Sequence, residues 1–179
     1  MKIFSGAIMS TSSLLNKSVA LLACSGFEEQ PFVKLQQELV ATGAKVKVIS
    51  RDSGLTNGWA STNWGLSYPV DAQLAETLAI DYDVMVIPDG ARHTEMLIND
   101  AHGKRIVNAF IRENVPSLVI GSAVDALKSI DLLEDDKNAS ETPELDKTLV
   151  IASVEADTST MIELLAQAIG LNKTVEAAA

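Results

Sequence analysis

The sequence predicts a single α/β domain around a mostly parallel sheet, and three observations carry that expectation. Four short apolar runs, SVALLACS (18–25), DVMVIP (83–88), PSLVIG (116–121) and TLVIASV (148–154), have the near-continuous character of strands covered on both faces. Between them lie stretches whose apolar residues recur at helical spacing. Glycine or proline punctuates the changeovers. At 179 residues the chain suits one domain of common size with a well-buried core.

Taken in order, residues 1–16 read as a flexible extension, with Met9 as an alternative start. A lipoprotein signal ending at Cys24 is disfavoured, because Asn16, Lys17 and Ser18 interrupt the apolar stretch. The first strand ends at Gly26, and Pro31 suits the first turn of a helix. Phe32, Leu35, Leu39 and Val40 fall on one face of that helix, which Gly43 stops. KVKVIS (45–50) alternates as a second strand, closing a right-handed βαβ unit. After the strand at 83–88, one helix is expected over much of 95–112, with Met96, Leu97, Ile106, Val107 and Phe110 inward. A strand at 116–121 leads to a short helix at 123–130. The last strand precedes a helix over 158–169 that Gly170 ends, leaving 173–179 as a tail beyond a domain at 17–172. Residues 131–147 carry seven acidic and two basic side chains, half the chain's net charge of −10, and read as a solvated loop.

Composition narrows the chemistry. The net charge of −10 argues against a nucleic-acid binder. One cysteine and two histidines exclude a disulfide framework and a Cys- or His-rich metal site, so no metal or cofactor is expected. No run approaches the 20 or so apolar residues of a membrane span, and the expected location is cytoplasmic. Ligands of open α/β sheets bind beyond the carboxyl ends of the strands, which directs attention to residues 24–29, 89–93 and 121–124. No GxGxxG follows the first strand, and no phosphate-cradling GxxxxGK occurs. A GxSxG elbow centred on Ser122 would need glycines where Ile120 and Val124 stand, and no histidine follows.

Four blocks in order, LLACSGFEEQPF, GWASTNWGLSYPVD, DYDVMVIPDGAR and VPSLVIGSAVDAL, resemble the DJ-1/PfpI family of the class I glutamine amidotransferase-like superfamily. The tail TLVIASVEADTSTMIELLAQAIG is also similar to the C-terminal domain of large-subunit catalases. The resemblance implies a flavodoxin-like three-layer sandwich and a homodimer or larger homo-oligomer. It also implies a site of elbow cysteine, following histidine, carboxylate and oxyanion-binding backbone N–H groups. Carried onto this chain, the carboxylate falls on Glu28, the glycine pair of the oxyanion turn on Asp89 and Gly90, the cysteine on Gly121 and the histidine on Ser122. A carboxylate at 89 repels a developing oxyanion, and glycine at 121 has nothing with which to attack. The expectation is a non-catalytic or strongly diverged member with a binding, assembly or stress-related role and room for a small-molecule ligand.

The alternative is a divergent hydrolase, glyoxalase-like or thiol-redox enzyme using Cys24 or Ser122 with His93 and Glu28. Against it, Cys24 is expected to pack as a small apolar residue, His93 to lie on a surface loop, and Ser122 to cap a helix. Glu28 either shapes a polar pocket or satisfies a helix start beside Glu29. Trp59, Trp64 and Tyr68 gather in a Gly/Asn/Ser-rich segment, as an interface or as a small hairpin within the monomer.

Overall fold

A computed structural model describes residues 13–178, with side chains to Asn172. Residues 1–12, Met9 among them, lie outside the described residues. Leu14 is already buried, and Asn16 N–H donates to Gly43 O at 3.0 Å, so chain packing begins by residue 14.

The strands are β1 (Ser18–Leu22), β2 (Phe27–Glu28), β3 (Lys45–Ser50), β4 (Leu55–Ala60), β5 (Asn63–Pro69), β6 (Ala72–Gln73), β7 (Val84–Ile87), β8 (Ser117–Ile120), β9 (Glu144–Asp146) and β10 (Leu149–Ala152). The helices are α1 (Glu29–Ala41), α2 (Ala91–Asn99), α3 (Ala101–Arg112), α4 (Ser122–Ser129) and α5 (Thr158–Ala178). Seven strands form the main sheet in the order β6-β3-β1-β7-β8-β10-β9, parallel except for β9. A second sheet, β2-β4-β5, stands beside it.

The apolar runs are continuous because each central strand feeds two cores. Along β1 and its extension, Val19, Leu21 and Ala23 face α1 and α5, where Phe32, Leu35, Met161 and Leu165 pack. Ala20, Leu22 and Cys24 face the opposite layer, with Leu97, Ile106, Phe110 and Leu127 from α2, α3 and α4. Alternate side chains thus enter opposite layers, which produces the flavodoxin-like three-layer sandwich.

Several local expectations are corrected. Val40 is 54% exposed, because the buried face of α1 is carried by Phe32, Leu35 and Leu39. The single helix expected over 95–112 is two, broken at Asp100. That residue is extended, and its Oδ1 accepts the N–H groups of His102 (2.9 Å) and Gly103 (3.0 Å) as the N-cap of α3. Gly170 does not stop α5, whose backbone continues through Ala178. The acidic segment is not all loop: β9 pairs antiparallel with β10, and Lys137 Nζ meets Asp146 Oδ2 at 3.1 Å.

The aromatic segment is the β4–β5 hairpin, held to α1 by Glu29. One carboxylate oxygen, Oε2, accepts Leu66 N–H at 2.6 Å and Tyr68 O–H at 2.9 Å. Glycine makes room for this: a Cβ on Gly65 would stand 2.5 Å from Glu29 Oε1, and one on Gly58 2.9 Å from Glu29 Cβ. Burial and the Glu29 hydrogen bond push the Tyr68 phenol up to about 12. Glu29→Ala should cost about 1–2 kcal/mol, since it orphans two donors. The loss should concentrate in the hairpin, read as faster amide exchange over 55–69 than over β7 and β8.

Candidate functional site

Parallel pairing brings the carboxyl ends of β1, β7 and β8 to one edge of the sheet, where the segments 24–28, 88–90 and 121–122 meet. Glu28 N–H donates to Asp89 O at 2.9 Å, tying the first turn to the second. Between β8 and α4 the chain turns on Gly121, whose φ of 59° and ψ of −121° make a sharp strand-to-helix elbow. Such a conformation suits glycine and strains any residue with a Cβ.

Asp89 fills that elbow. Its Oδ1 accepts Ser122 N–H at 2.8 Å. A Cβ built on Gly121 would lie 2.4 Å from the same oxygen and 2.6 Å from Asp89 Cγ. The carboxylate therefore occupies the space that a side chain at 121 would take. It also takes the N–H of the residue after the elbow, a group that in a nucleophile elbow belongs to the oxyanion hole. Ser122 does not cap α4, because it is already the first residue of that helix. Its Oγ instead accepts Gly90 N–H at 3.0 Å and lies 3.4 Å from Thr94 Oγ1. Hydrogen bonds thus tie Asp89 and Gly90 to Ser122 around the turn at Gly121. A cavity of about 20 Å³, room for a water molecule, is bordered by Pro31, Leu35, Pro88, Asp89, Ile120 and Val154. Glu28 stands at the N-cap of α1 without making a side-chain cap, and burial and then Asp89 raise its carboxyl above the usual range.

The alternative dyad does not assemble. Cys24 is fully buried among the aliphatic residues on the α2–α4 side of the sheet, and burial pushes its thiol up to about 11. His93, expected on a surface loop, is fully buried as well. Its Nδ1 accepts the backbone N–H of Cys24 at 3.1 Å, so the proton sits on Nε2, which donates to Pro88 O at 2.9 Å. The imidazole bolts the end of β1 to the end of β7. Burial lowers its pKa to about 4, leaving it neutral. The thiol is not its partner; the cysteine backbone is. His102 lies in the first turn of α3.

Register joins two residue groups that the sequence left separate. Glu28 pairs with Trp59 in the parallel β2–β4 ladder, and Trp59 pairs with Trp64 in the antiparallel β4–β5 ladder. Directly paired residues share a face, so Glu28, Trp59 and Trp64 form a row across the small sheet. The indoles stand edge to face with centroids 5.3 Å apart, and Trp59 Nε1–H donates to Ser61 O at 2.9 Å. Arg92, which nothing in the sequence singled out, places its guanidinium 4.4 Å from the Trp59 centroid and 5.8 Å from that of Trp64. Tyr68 belongs elsewhere, packing edge-on against Phe27 and Phe32 beneath the hairpin. Among the described residues, no group of three or more His, Cys, Asp or Glu side chains is placed to hold a metal ion. No helix there is long and apolar enough to cross a membrane.

The three-layer sheet and the strand-to-helix elbow define a class, the α/β proteins that carry their site on the turn after a central strand. Within it, the family model of the DJ-1/PfpI family matches residues 17–163, and the chain belongs to that family. Solved structures agree in fold. A ThiJ/PfpI domain protein from Brachyspira murdochii superposes with a TM-score of 0.69 at 17% identity, over 89% of this chain and 98% of the other. Oxidized DJ-1 from Toxoplasma gondii gives 0.65 at 18%, over 90% and 96%. A two-domain protein from Anabaena variabilis with DJ-1/ThiJ/PfpI-like and ferritin-like domains gives 0.72 at 19%, over 87% of this chain and 55% of that one. Comparison with curated proteins gives no significant match. The tail's likeness to catalase domains rests on the sequence blocks alone.

Proposed function

We propose that this chain is a non-catalytic member of the DJ-1/PfpI family that acts by binding and assembly. The observation that carries this reading is the Asp89 carboxylate lodged at the elbow, on the Ser122 N–H and against Gly121. An acyl-transfer site needs an empty, electropositive hole at that place, and here it holds a fixed anion. The neutral, backbone-bound His93 and the buried Cys24 count against a relocated dyad. A homodimer or larger homo-oligomer and a cytoplasmic, stress-related setting belong to the same proposal. The first follows the family, and the last follows the tail's resemblance to catalase domains. A single buried thiol is at home in a reducing compartment.

The test is the reactivity of Cys24. A thiol raised from 9.0 to about 11 has about a hundredfold less thiolate at pH 8, before access is counted. Native protein should therefore react with a disulfide reagent at least about a hundredfold more slowly than protein unfolded in guanidinium. It should also turn over neither p-nitrophenyl esters nor methylglyoxal. Turnover abolished by Cys24→Ala or Ser122→Ala would overturn the reading.

A further inference from the structure

At the amino ends of β7 and β8, the opposite end of the strands from the Asp89 elbow, lies a groove of about 580 Å³. Its walls include Leu78, Ile80, Tyr82, Val115, Pro116 and, from α5, Asn172. Among the described residues Ile80 is the most exposed large apolar side chain, at 89%, and Leu78 is 55% exposed. A single exposed apolar residue is ordinary, but here two stand on one apolar groove. The wall that carries them is fixed from α3. Arg105 donates to Leu74 O at 3.2 Å and to Thr77 O at 3.3 Å, and the Tyr82 ring lies 6.4 Å from that of Phe110. The groove also adjoins the point where the chain enters the main sheet. Asp83, on its wall, accepts Ser18 N–H on Oδ2 at 2.9 Å and donates its own N–H to Ser18 O at 2.8 Å.

We propose that residues 1–12 of the chain itself occupy this groove, laying Ile3, Phe4 and Ile8 against Leu78 and Ile80. Three observations choose this occupant. The segment joins the described residues at Ser13, five positions ahead of the Ser18–Asp83 pair, and twelve extended residues reach about 40 Å. Its composition is not that of a solvated tail: Met1, Ile3, Phe4, Ile8 and Met9 are large and apolar, and none of the chain's 24 acidic residues falls in it. Its one charged side chain is Lys2, opposite in sign to Glu113 on the groove wall. Tethering makes the docking intramolecular, so modest apolar contact is enough to hold it. A chain begun at Met9 would lack all three apolar anchors and leave the groove open. Groove and elbow stand at opposite ends of the strands, so the proposal does not rest on the non-catalytic reading.

The probe is a capped peptide of residues 1–12, labelled with fluorescein at its carboxyl end and followed by anisotropy. It is titrated with the full chain and with a variant of the same 179 residues carrying Ile3→Ser, Phe4→Ser and Ile8→Ser, which empties the groove and leaves the described residues unaltered. The serine variant should bind the peptide saturably. The unaltered chain should bind it at least about tenfold more weakly, because its own segment competes at millimolar effective concentration. Adding Ile80→Ser to the serine variant should weaken the peptide at least about tenfold, as loss of a buried isoleucine contact implies. Ile80 is exposed in the described structure, so that substitution should leave the thermal midpoint in place. Equal binding by the unaltered chain and the serine variant, unchanged binding with Ile80→Ser, or no saturable binding to the serine variant with a Kd below about 1 mM would each overturn the proposal. A sedimentation coefficient that rises with concentration in the unaltered chain and not in the serine variant would assign the segment to the groove of a second copy and overturn it too. None of these results bears on thiol reactivity or turnover, so failure here is distinct from failure of the non-catalytic reading.

Discussion

Gly121→Ala should be among the most damaging single-methyl additions this fold can receive, removing about 3 kcal/mol of stability. Two costs combine. The backbone at φ 59°, ψ −121° lies outside the regions that L-residues favour, and the new Cβ would arrive 2.4 Å from Asp89 Oδ1. In a domain of this size such a loss lowers the thermal midpoint by roughly 6–12 °C. The two costs separate in a double-mutant cycle. Asp89→Gly removes the clash but leaves the backbone strain, so Gly121→Ala should be milder by at least about 1 kcal/mol in that background. Denaturant unfolding of the four proteins measures the coupling. Additive effects would mean that the carboxylate does not occupy the elbow, and the main support for a non-catalytic protein would go with it.

Acidification should weaken the protein through His93. An ordinary histidine titrates near 6.5, whereas this one, desolvated, titrates at about 4. Between those values the unfolded chain takes up a proton that the folded chain refuses. Stability is therefore complete above about pH 6.5 and falls as pH drops towards 4, by about 3 kcal/mol in all. Glu28 acts in the opposite sense. Its raised pKa means that the folded form binds its proton more readily, which recovers some stability as pH falls. Asp157, lowered by its hydrogen bonds to Thr160, adds a loss only at more acid pH. His93→Gln should cost about 2–4 kcal/mol at pH 7, because Cys24 N–H and Pro88 O lose their partner. The same variant should show a flatter stability profile between pH 6.5 and 4.5. An unchanged slope would place the acid sensitivity on another group.

The central strands were legible because burial on both faces leaves an unbroken apolar signature, and the two cores accept alternate residues of each run. What escaped the sequence depends on contacts between distant residues. Glu29 reads as ordinary helix-start acid, yet its partners lie 37 and 39 residues away. His93 stands among polar neighbours in ARHTE, and its burial is decided by a backbone N–H 69 residues away. The break at Asp100 had a local signal, an N-cap residue followed by Ala-His-Gly, which apolar spacing across the gap overrode. At the elbow, the family resemblance sets the cysteine and histidine positions on Gly121 and Ser122 and one glycine of the pair on Asp89. The structure adds a contact that the sequence does not show, the Asp89 carboxylate lying where a side chain at 121 would stand.

The main sheet ends in β6 with two residues on one side and in β9 with three on the other, the latter running against the rest. Such stubs offer too few free backbone groups to template another molecule, and the acidic segment before β9 adds repulsion. The seven-residue β5 is blunted in another way, by its bulged pairing with β4 and by Pro69, which has no N–H to donate. Colloidal behaviour should follow: where copies of this chain meet in concentrated solution, none of these edges offers a long free row of backbone groups on which strands can add.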